Sequence, residues 1–399
     1  MQRTLAADIA KHIGEDVKLV GWLFQVRELG SISFVVVRDR TGTAQAVILD
    51  PSKVELRSAL ARGRVMQLET VPDIAARADA IAAVNAGFFN VKNGDPAGVL
   101  ELGDELVSDS PLTRGAVGIL RAPGRPMSLV FDRLSTSLSL AYTAGGEAYT
   151  QEIDGVDTTR VRGKLMLYTP RFGPDSDMAD TGVEWQLAGS PLRVTERRPN
   201  AGRTRIPRDG IVLSFGGTVL PTGLERLDEG QDVAIQTTFR TLLGTRPDQW
   251  SEAQDIVSGA GLLVHQGKPL AGWSPEQLRA GFDTERHPRT MIGTTRGPAV
   301  WLVTVDGRNP SLSLGMTFAE LTNLALKLNL VHALNLDGGG SSTIMAAIGT
   351  DGVISPTEVT PEFVAACRKN TQERKARGIA APYETEDGYL LRVFGETWG

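Results

Sequence analysis

A short apolar run that ends in an acid, three glycines and three hydroxyl residues constrains this chain more than any other stretch. It reads Leu334-Asn335-Leu336-Asp337-Gly338-Gly339-Gly340-Ser341-Ser342-Thr343. This order ends a buried strand and forces a sharp turn, because glycine removes the Cβ that would block close backbone approach. Backbone N–H groups and hydroxyls in such a turn converge on one point. Asp337 at its head can orient a hydroxyl, hold a metal or take a proton. A purely structural turn is the other reading of the same residues.

The residues upstream add weight. Thr317-Phe318-Ala319-Glu320 has the spacing of a capping box. Phe318, Leu321, Leu324, Ala325 and Leu328 then recur at helical intervals, with Thr322, Asn323 and Lys327 between them. Before that helix, Pro298 to Val305 reads as a buried strand that stops at Asp306-Gly307-Arg308. The order strand, turn, helix, strand, glycine turn puts Asp306, Arg308 and Asp337 at strand ends. If the two strands run parallel, those ends share one edge of a sheet, where ligands bind in layered α/β proteins.

Two further segments have the same character. Ile81 to Val84 is an apolar strand stopped by Asn85-Ala86-Gly87 and followed by Phe88-Phe89, with a helix-like lead-in from Val71 to Ala80. His287-Pro288-Arg289-Thr290 places a guanidinium and a hydroxyl just ahead of the Trp301 strand. Arginine offers two-pronged recognition of phosphate or carboxylate; a surface ion pair is the plainer use of a single one.

Taken in order, Val84 to Phe89, Pro288 to Thr290, Val305 to Arg308, Gly315 to Thr317 and Leu334 to Thr343 resemble the phosphodiester glycosidase family. Its vertebrate member uncovers mannose 6-phosphate. Weaker matches at Ile206 to Ser214, Leu167 to Pro170 and Asp255 to Gly267 extend the similarity over roughly residues 47–346. The resemblance implies hydrolysis between a sugar's anomeric carbon and a phosphodiester oxygen, on an N-acetylglucosamine 1-phosphodiester-like glycan. For bacterial members it implies envelope or exopolysaccharide substrates. Carried over by motif, the site comprises Asn85, Gly87, Arg289, Thr290, Asp306, Arg308, Asp337, Gly338, Gly339, Gly340 and Ser341.

That chemistry asks for positive charge and N–H donors around a departing phosphate monoester, and Arg289, Arg308 and the Gly338–Ser341 amides are the candidates. An oxocarbenium-like state needs a carboxylate beside it and a second one to activate water. Asp337 suits the first role and Asp306 the second. Alternatively Asp337 holds sugar hydroxyls while another acid, such as Glu184, does the proton transfer. No cofactor is required by this scheme, although a calcium or magnesium ion near Asp337 is compatible with oxygen ligands.

The start of the chain reads differently. Leu5, Ile9 and Ile13 space a short helix that ends at Gly14, and Val17–Arg27, Ser33–Arg38 and Ala44–Leu49 read as strands around an Asp39–Gly42 turn. Gly21-Trp22, Val26-Arg27, Ile32 to Phe34 and Arg38 to Gly42 resemble the anticodon-binding OB-fold of archaeal-type aspartyl-tRNA synthetases. That resemblance implies base contacts from Arg27, Phe34 and Gln45. It fades near Asp50, after three of the five strands an OB-fold needs, so tRNA is not the expected partner. The chain reads as a fusion: residues 1–46 a partial OB-like segment, 47–353 the glycosidase domain, 354–399 a tail. The tail has an expected helix from Thr360-Pro361 to Gly378 and a last strand from Gly388 to Phe394.

Composition excludes several classes. A net charge of −5 argues against a general nucleic-acid binder. No stretch is long and apolar enough for a helical span, and residues 1–20 lack a signal-peptide layout, so a cytoplasmic chain is expected, against the secreted or envelope habit of the resembled family. Cys367 is the only cysteine, and His12, His265, His287 and His332 lack metal-ligand spacing, so packing or solvent exposure is the reading for each. The expected fold is α+β or mixed α/β, a large layered sheet-and-helix domain with strands outnumbering helices. Three functions are open: a sugar 1-phosphodiester hydrolase, a phosphoglycan-binding module without turnover, and a tRNA or nucleic-acid binder acting through the N-terminal fragment.

Overall fold

The computed structural model describes residues 3–4, 18–19, 22–29, 32–39, 42–176, 182–270, 272–310, 313–346 and 389–395. The expected helix over residues 5–13 and the Thr360–Gly378 helix lie outside the described residues, as does Cys367.

Apolar strands that alternate or run continuously dominate the described residues, which hold twenty-eight strands and three α-helices. The α+β or mixed α/β expectation is therefore wrong, and the fold is β-rich. The apolar runs were strands, but they are joined mostly by hairpins, so nearly every pairing is antiparallel. The helices are short: Val71–Arg77, Pro247–Ser251 and Phe318–Lys327.

The glycine turn hangs from an eight-stranded sheet. Its order is Lys268–Pro269, Leu262–His265, Leu330–Asn335, Arg289–Thr295, Val300–Val305, Gly42–Leu49, Ile32–Asp39 and Trp22–Leu29. The Leu330 and Val300 strands each pair antiparallel with the Arg289 strand between them, so they run parallel to one another. Both end where Arg289 begins. Asp306, Arg308, Asp337 and Arg289 thus meet at one sheet edge, with an intervening strand that sequence reasoning did not supply.

Both faces of this sheet are covered, which explains its unbroken apolar runs. On one face Val47, Leu49, Ile292, Val300, Leu302 and Leu334 join a core with Leu56, Val84, Leu100 and Val117. On the other, Phe318, Leu321 and Ala325 of the Phe318 helix pack on Met291, Val303, Val305 and Ala333. Thr317 and Glu320 form the expected capping box.

Three other large assemblies complete the described fold. Ile344–Ala346, Ala82–Asn85, Tyr389–Gly395 and Val54–Leu60 form a four-stranded sheet, which accounts for the expected last strand. Seven strands built on the long Ser128–Ala144 strand make another sheet. Five strands around Gly210–Phe215 form the third, whose Trp185 and Leu213 share a core with Leu140 of the Ser128–Ala144 strand.

The Gly42–Leu49 strand runs across the 46/47 division drawn between the two resemblances. It pairs with Ile32–Asp39 on one side and Val300–Val305 on the other. The OB-like strands therefore extend the same sheet that carries the glycine turn.

Candidate functional site

The turn after Asn335 is fastened on three sides. Leu336 N–H donates to Thr290 O at 2.8 Å, Asp337 N–H to Ala86 O at 2.9 Å and Gly339 N–H to Pro288 O at 2.9 Å. Two of its glycines are required by geometry. A Cβ at Gly338 would sit 2.7 Å from Pro288 O, and Gly339 has a φ of +66°, with the Arg308 guanidinium against its backbone.

Asn85 joins the segments that meet there. Its Nδ2 donates to Asp337 O at 2.9 Å, while its Oδ1 accepts from Thr290 Oγ1 at 2.7 Å and Thr343 N–H at 3.0 Å. Asn85 and Thr290 are fully enclosed, as is the Gly87 backbone beside them. Their side chains are spent on each other, so they shape the site rather than face a ligand.

Asp337 is the titratable centre. Burial pushes its carboxyl up to about 6, against the opposing pull of the Ser341 hydroxyl and the Gly338 amide. The Gly338 N–H donates to Asp337 Oδ1 at 2.7 Å. A carboxyl poised near neutrality can carry charge in one step and a proton in another.

The cationic groups divide differently from the sequence expectation. Arg289 is buried, with Nε donating to Met316 O at 2.9 Å and Nη2 to Phe282 O and Glu285 O at 2.8 and 2.9 Å. Its guanidinium lies 5.0 Å from the Phe282 ring centroid and 4.7 Å from that of Phe318. Burial, then neighbouring Arg308, brings its pKa down to about 10, so it stays charged at neutral pH. That cation braces the loops around it. Arg308 is exposed, and a Cβ on Gly339 would lie 3.1 Å from both of its terminal nitrogens. Its Nη2 is 3.2 Å from His287 Nδ1. The cation facing outward over the glycine turn is Arg308.

The turn amides are also engaged. Besides the Gly338 and Gly339 bonds, Ser341 N–H reaches Gly338 O at 3.2 Å and Ser342 N–H reaches Gly339 O at 3.4 Å. Gly340 lies between them in the same short helical turn, Gly339–Ser341. The expected phosphate donors at Gly338 and Ser341 are therefore occupied within the loop, and that at Gly339 by Pro288 O. Asp306 is partly buried at the end of its strand, and its carbonyl accepts from Ser313 Oγ.

Glu184 stands elsewhere. It is enclosed in the five-stranded sheet and accepts from Ser176 Oγ and Ser214 Oγ, each at 2.8 Å, and from Thr204 N–H at 3.2 Å. Those bonds tie Glu184 to its neighbouring strand and to the Ser176 and Thr204 segments, in a different sheet from the one that carries the glycine turn. Of the OB-like residues, Gln45 is half-buried in the inner Gly42 strand, opposite Thr304. Arg27 and Phe34 are register partners whose side chains lie outside the described residues.

Sequence reasoning missed His287, which stands beside Arg308, and Glu285, which stands beside His287. The signal was the His-Pro-Arg order, which ties a ring to the same turn as Arg289. Among the described residues no group of three or more His, Cys, Asp or Glu side chains is placed to hold a metal, and no helix is long and apolar enough to cross a membrane.

Two family models match this chain, one over the strands and turn just described and one over its start. Residues 182–376 match the phosphodiester glycosidase family model, and residues 17–71 match the model of the OB-fold nucleic acid binding domain. The chain is 36% identical over 74 residues to an asparagine–tRNA ligase of Desulforamulus reducens, covering 18% of this chain and 17% of that protein. The chain thus spans only 17% of the length of that curated relative. Among solved structures, a hypothetical protein from Synechocystis superposes with a TM-score of 0.67 at 23% identity, over 92% of this chain and 62% of that one. A Burkholderia pseudomallei protein, provisionally named as exported, gives 0.66 at 19% identity, over 90% of this chain and 74% of that one. At such identities the two structures speak for the fold alone.

Proposed function

We propose that this chain hydrolyses the bond between a sugar's anomeric carbon and a phosphodiester oxygen, on an N-acetylglucosamine 1-phosphodiester-like glycan. The carrying observation is the pairing of Asp337, with its carboxyl near 6, with the outward Arg308 guanidinium over the same glycine turn. The match of residues 182–376 to the phosphodiester glycosidase model supports this reading, since it includes both residues.

In this scheme Arg308 anchors the phosphodiester anion. The ionised Asp337 stabilises or attacks the oxocarbenium-like carbon as the C1–O bond breaks, and the bonding pair leaves with the phosphate oxygen. Water supplies the hydroxyl at C1, with Asp306 taking its proton. The products are the free sugar and a phosphomonoester. Asn85, Thr290 and Arg289 hold the loops that present these groups.

The test is release of free sugar from UDP-N-acetylglucosamine or another α-sugar phosphodiester, beside an Asp337→Asn control. Release by the wild type alone supports the proposal. Sugar binding with no hydrolysis of several such substrates would instead favour a phosphoglycan-binding module.

A second reading rests on the OB-fold match at residues 17–71. Salt-dependent retardation of tRNA, lost in Phe34→Ala, would support it. Its cost is that the third OB-like strand is already paired on both sides.

A further inference from the structure

Arg308 holds an unusual backbone conformation for a long side chain, with φ at +55°. A flexible guanidinium on an exposed turn is a poor anchor unless something orders it, because arginine loses much rotamer freedom when fixed. His287 supplies that order. Its Nδ1 lies 3.2 Å from Arg308 Nη2, and its Nε2 lies 3.3 Å from Glu285 Oε2.

Chemistry decides the tautomer. A guanidinium only donates, so Nδ1 must offer a lone pair. A carboxylate only accepts, so the proton sits on Nε2. Glu285, His287 and Arg308 therefore form one directed chain that ends at the glycine turn.

The root of the ring is held as well. His287 N–H donates to Met316 O, and Met316 N–H returns a bond to His287 O at 3.0 Å. A Cβ at Gly315 would sit 2.4 Å from His287 O, so the two segments touch at their backbones. Arg289 and Arg308 both face the ring with positive charge, and Glu285 is its one acidic neighbour among the groups acting on it.

We propose that His287 is a positioning residue: in its neutral Nε2–H form it holds Arg308 over the glycine turn for an anionic ligand, and it releases Arg308 when protonated. A protonated ring points an N–H at another N–H and adds a third positive charge beside Arg289 and Arg308. Burial and these two arginines together hold the ring below the ordinary histidine range, which keeps it neutral at neutral pH. The inference rests on the reading of Arg308 as the anion anchor.

Sulfate tests it on the full chain, because sulfate keeps its charge between pH 5 and 8. Wild-type affinity should fall as pH drops through the His287 titration. His287→Phe should weaken sulfate at neutral pH by about three- to tenfold, the worth of one hydrogen bond. His287→Asn puts an acceptor near the Nδ1 position, so it should keep most of the affinity while losing the pH dependence. Nitrogen-15 spectra of the imidazoles should show His287 as the Nε2–H tautomer. An Nδ1–H or charged ring at neutral pH, a Phe variant that binds as well as wild type, or no sulfate binding by wild type would each overturn the role. Hydrolysis is followed in parallel. Its absence beside pH-dependent sulfate binding sinks the hydrolase reading and leaves the positioning role standing, and the converse pattern does the reverse.

Discussion

The Thr290 hydroxyl donates to Asn85 Oδ1 at 2.7 Å across 205 residues of sequence. That bond joins the Arg289 strand of the eight-stranded sheet to the Ala82 strand of the four-stranded one. The same asparagine takes the Thr343 amide and gives a bond to the Asp337 carbonyl. Two sheets are thus locked at the point where Asp337 is presented.

Asn85→Ala would strand the buried Thr290 hydroxyl and the part-buried Thr343 amide and Asp337 carbonyl. Unsatisfied buried groups cost about 1–3 kcal/mol each. The variant should lose about 3 kcal/mol or more of stability, read as a lower urea midpoint at unchanged slope. A loss under about 0.5 kcal/mol would mean that water replaces the bonds, and the clip would be ornamental.

Asp337→Asn should lower turnover of a sugar phosphodiester at least ~100-fold in well-folded protein. The pH profile carries a sign. With its carboxyl near 6, Asp337 is neutral below that pH and ionised above it. A step that needs the carboxylate should therefore fade as pH drops through about 6. A limb that instead falls on the alkaline side of that value would make Asp337 the proton donor.

Arg289→Ala separates bracing from binding. Three backbone carbonyls lose their donor and two phenylalanine rings lose a stacked cation. Stability should drop by about 3 kcal/mol or more. Lysine should recover only part of it, since it lacks the planar fork. A variant as stable as wild type that merely binds its anion more weakly would return Arg289 to the ligand.

His265 and His332 meet edge to face at 5.0 Å, and His332 stacks on Phe131. Both nitrogens of His265 and Nδ1 of His332 are buried without a partner among the described residues. Burial, then His265, brings the His332 pKa down to about 4. Between the ordinary value of 6.5 and about 4 the unfolded chain binds more protons, so stability is full above that window and drains away as pH falls through it. Urea midpoints across this range should decline, and His332→Phe should flatten the decline. An equal decline in the variant would place the titration elsewhere.

Much of the site could be read from the sequence because its signals are local. The Thr317–Glu320 box, the strand stop at Asp306 and the turn at Asp337 each depend on neighbours within a few residues. What the sequence hid is how polar groups are spent. Arg289 looks like a ligand-binding arginine until the carbonyls of Phe282, Glu285 and Met316 close around it, and those arrive through loops of no repeating pattern. The mixed α/β expectation failed for a related reason. The Phe318 helix is a genuine crossover between two parallel-running strands. The Arg289 strand lies between them as one arm of a hairpin, and hairpins of this kind make up most of the described fold. Buried carboxylates such as Glu276, which gathers the Gly115, Gly261 and Leu262 amides and Arg133, leave no mark in local spacing at all.

The Gly42–Leu49 strand, gripped on both margins, bears on how such a chain can be assembled from two ancestries. A sheet margin recognises backbone geometry and an apolar face, and is indifferent to where the segment that docks on it came from. A segment that matches an OB-fold model can therefore dock on the margin of the sheet that carries the glycine turn through backbone pairing alone. Strip that strand away, and the backbone N–H and C=O groups along one margin of Val300–Val305 lose their partners.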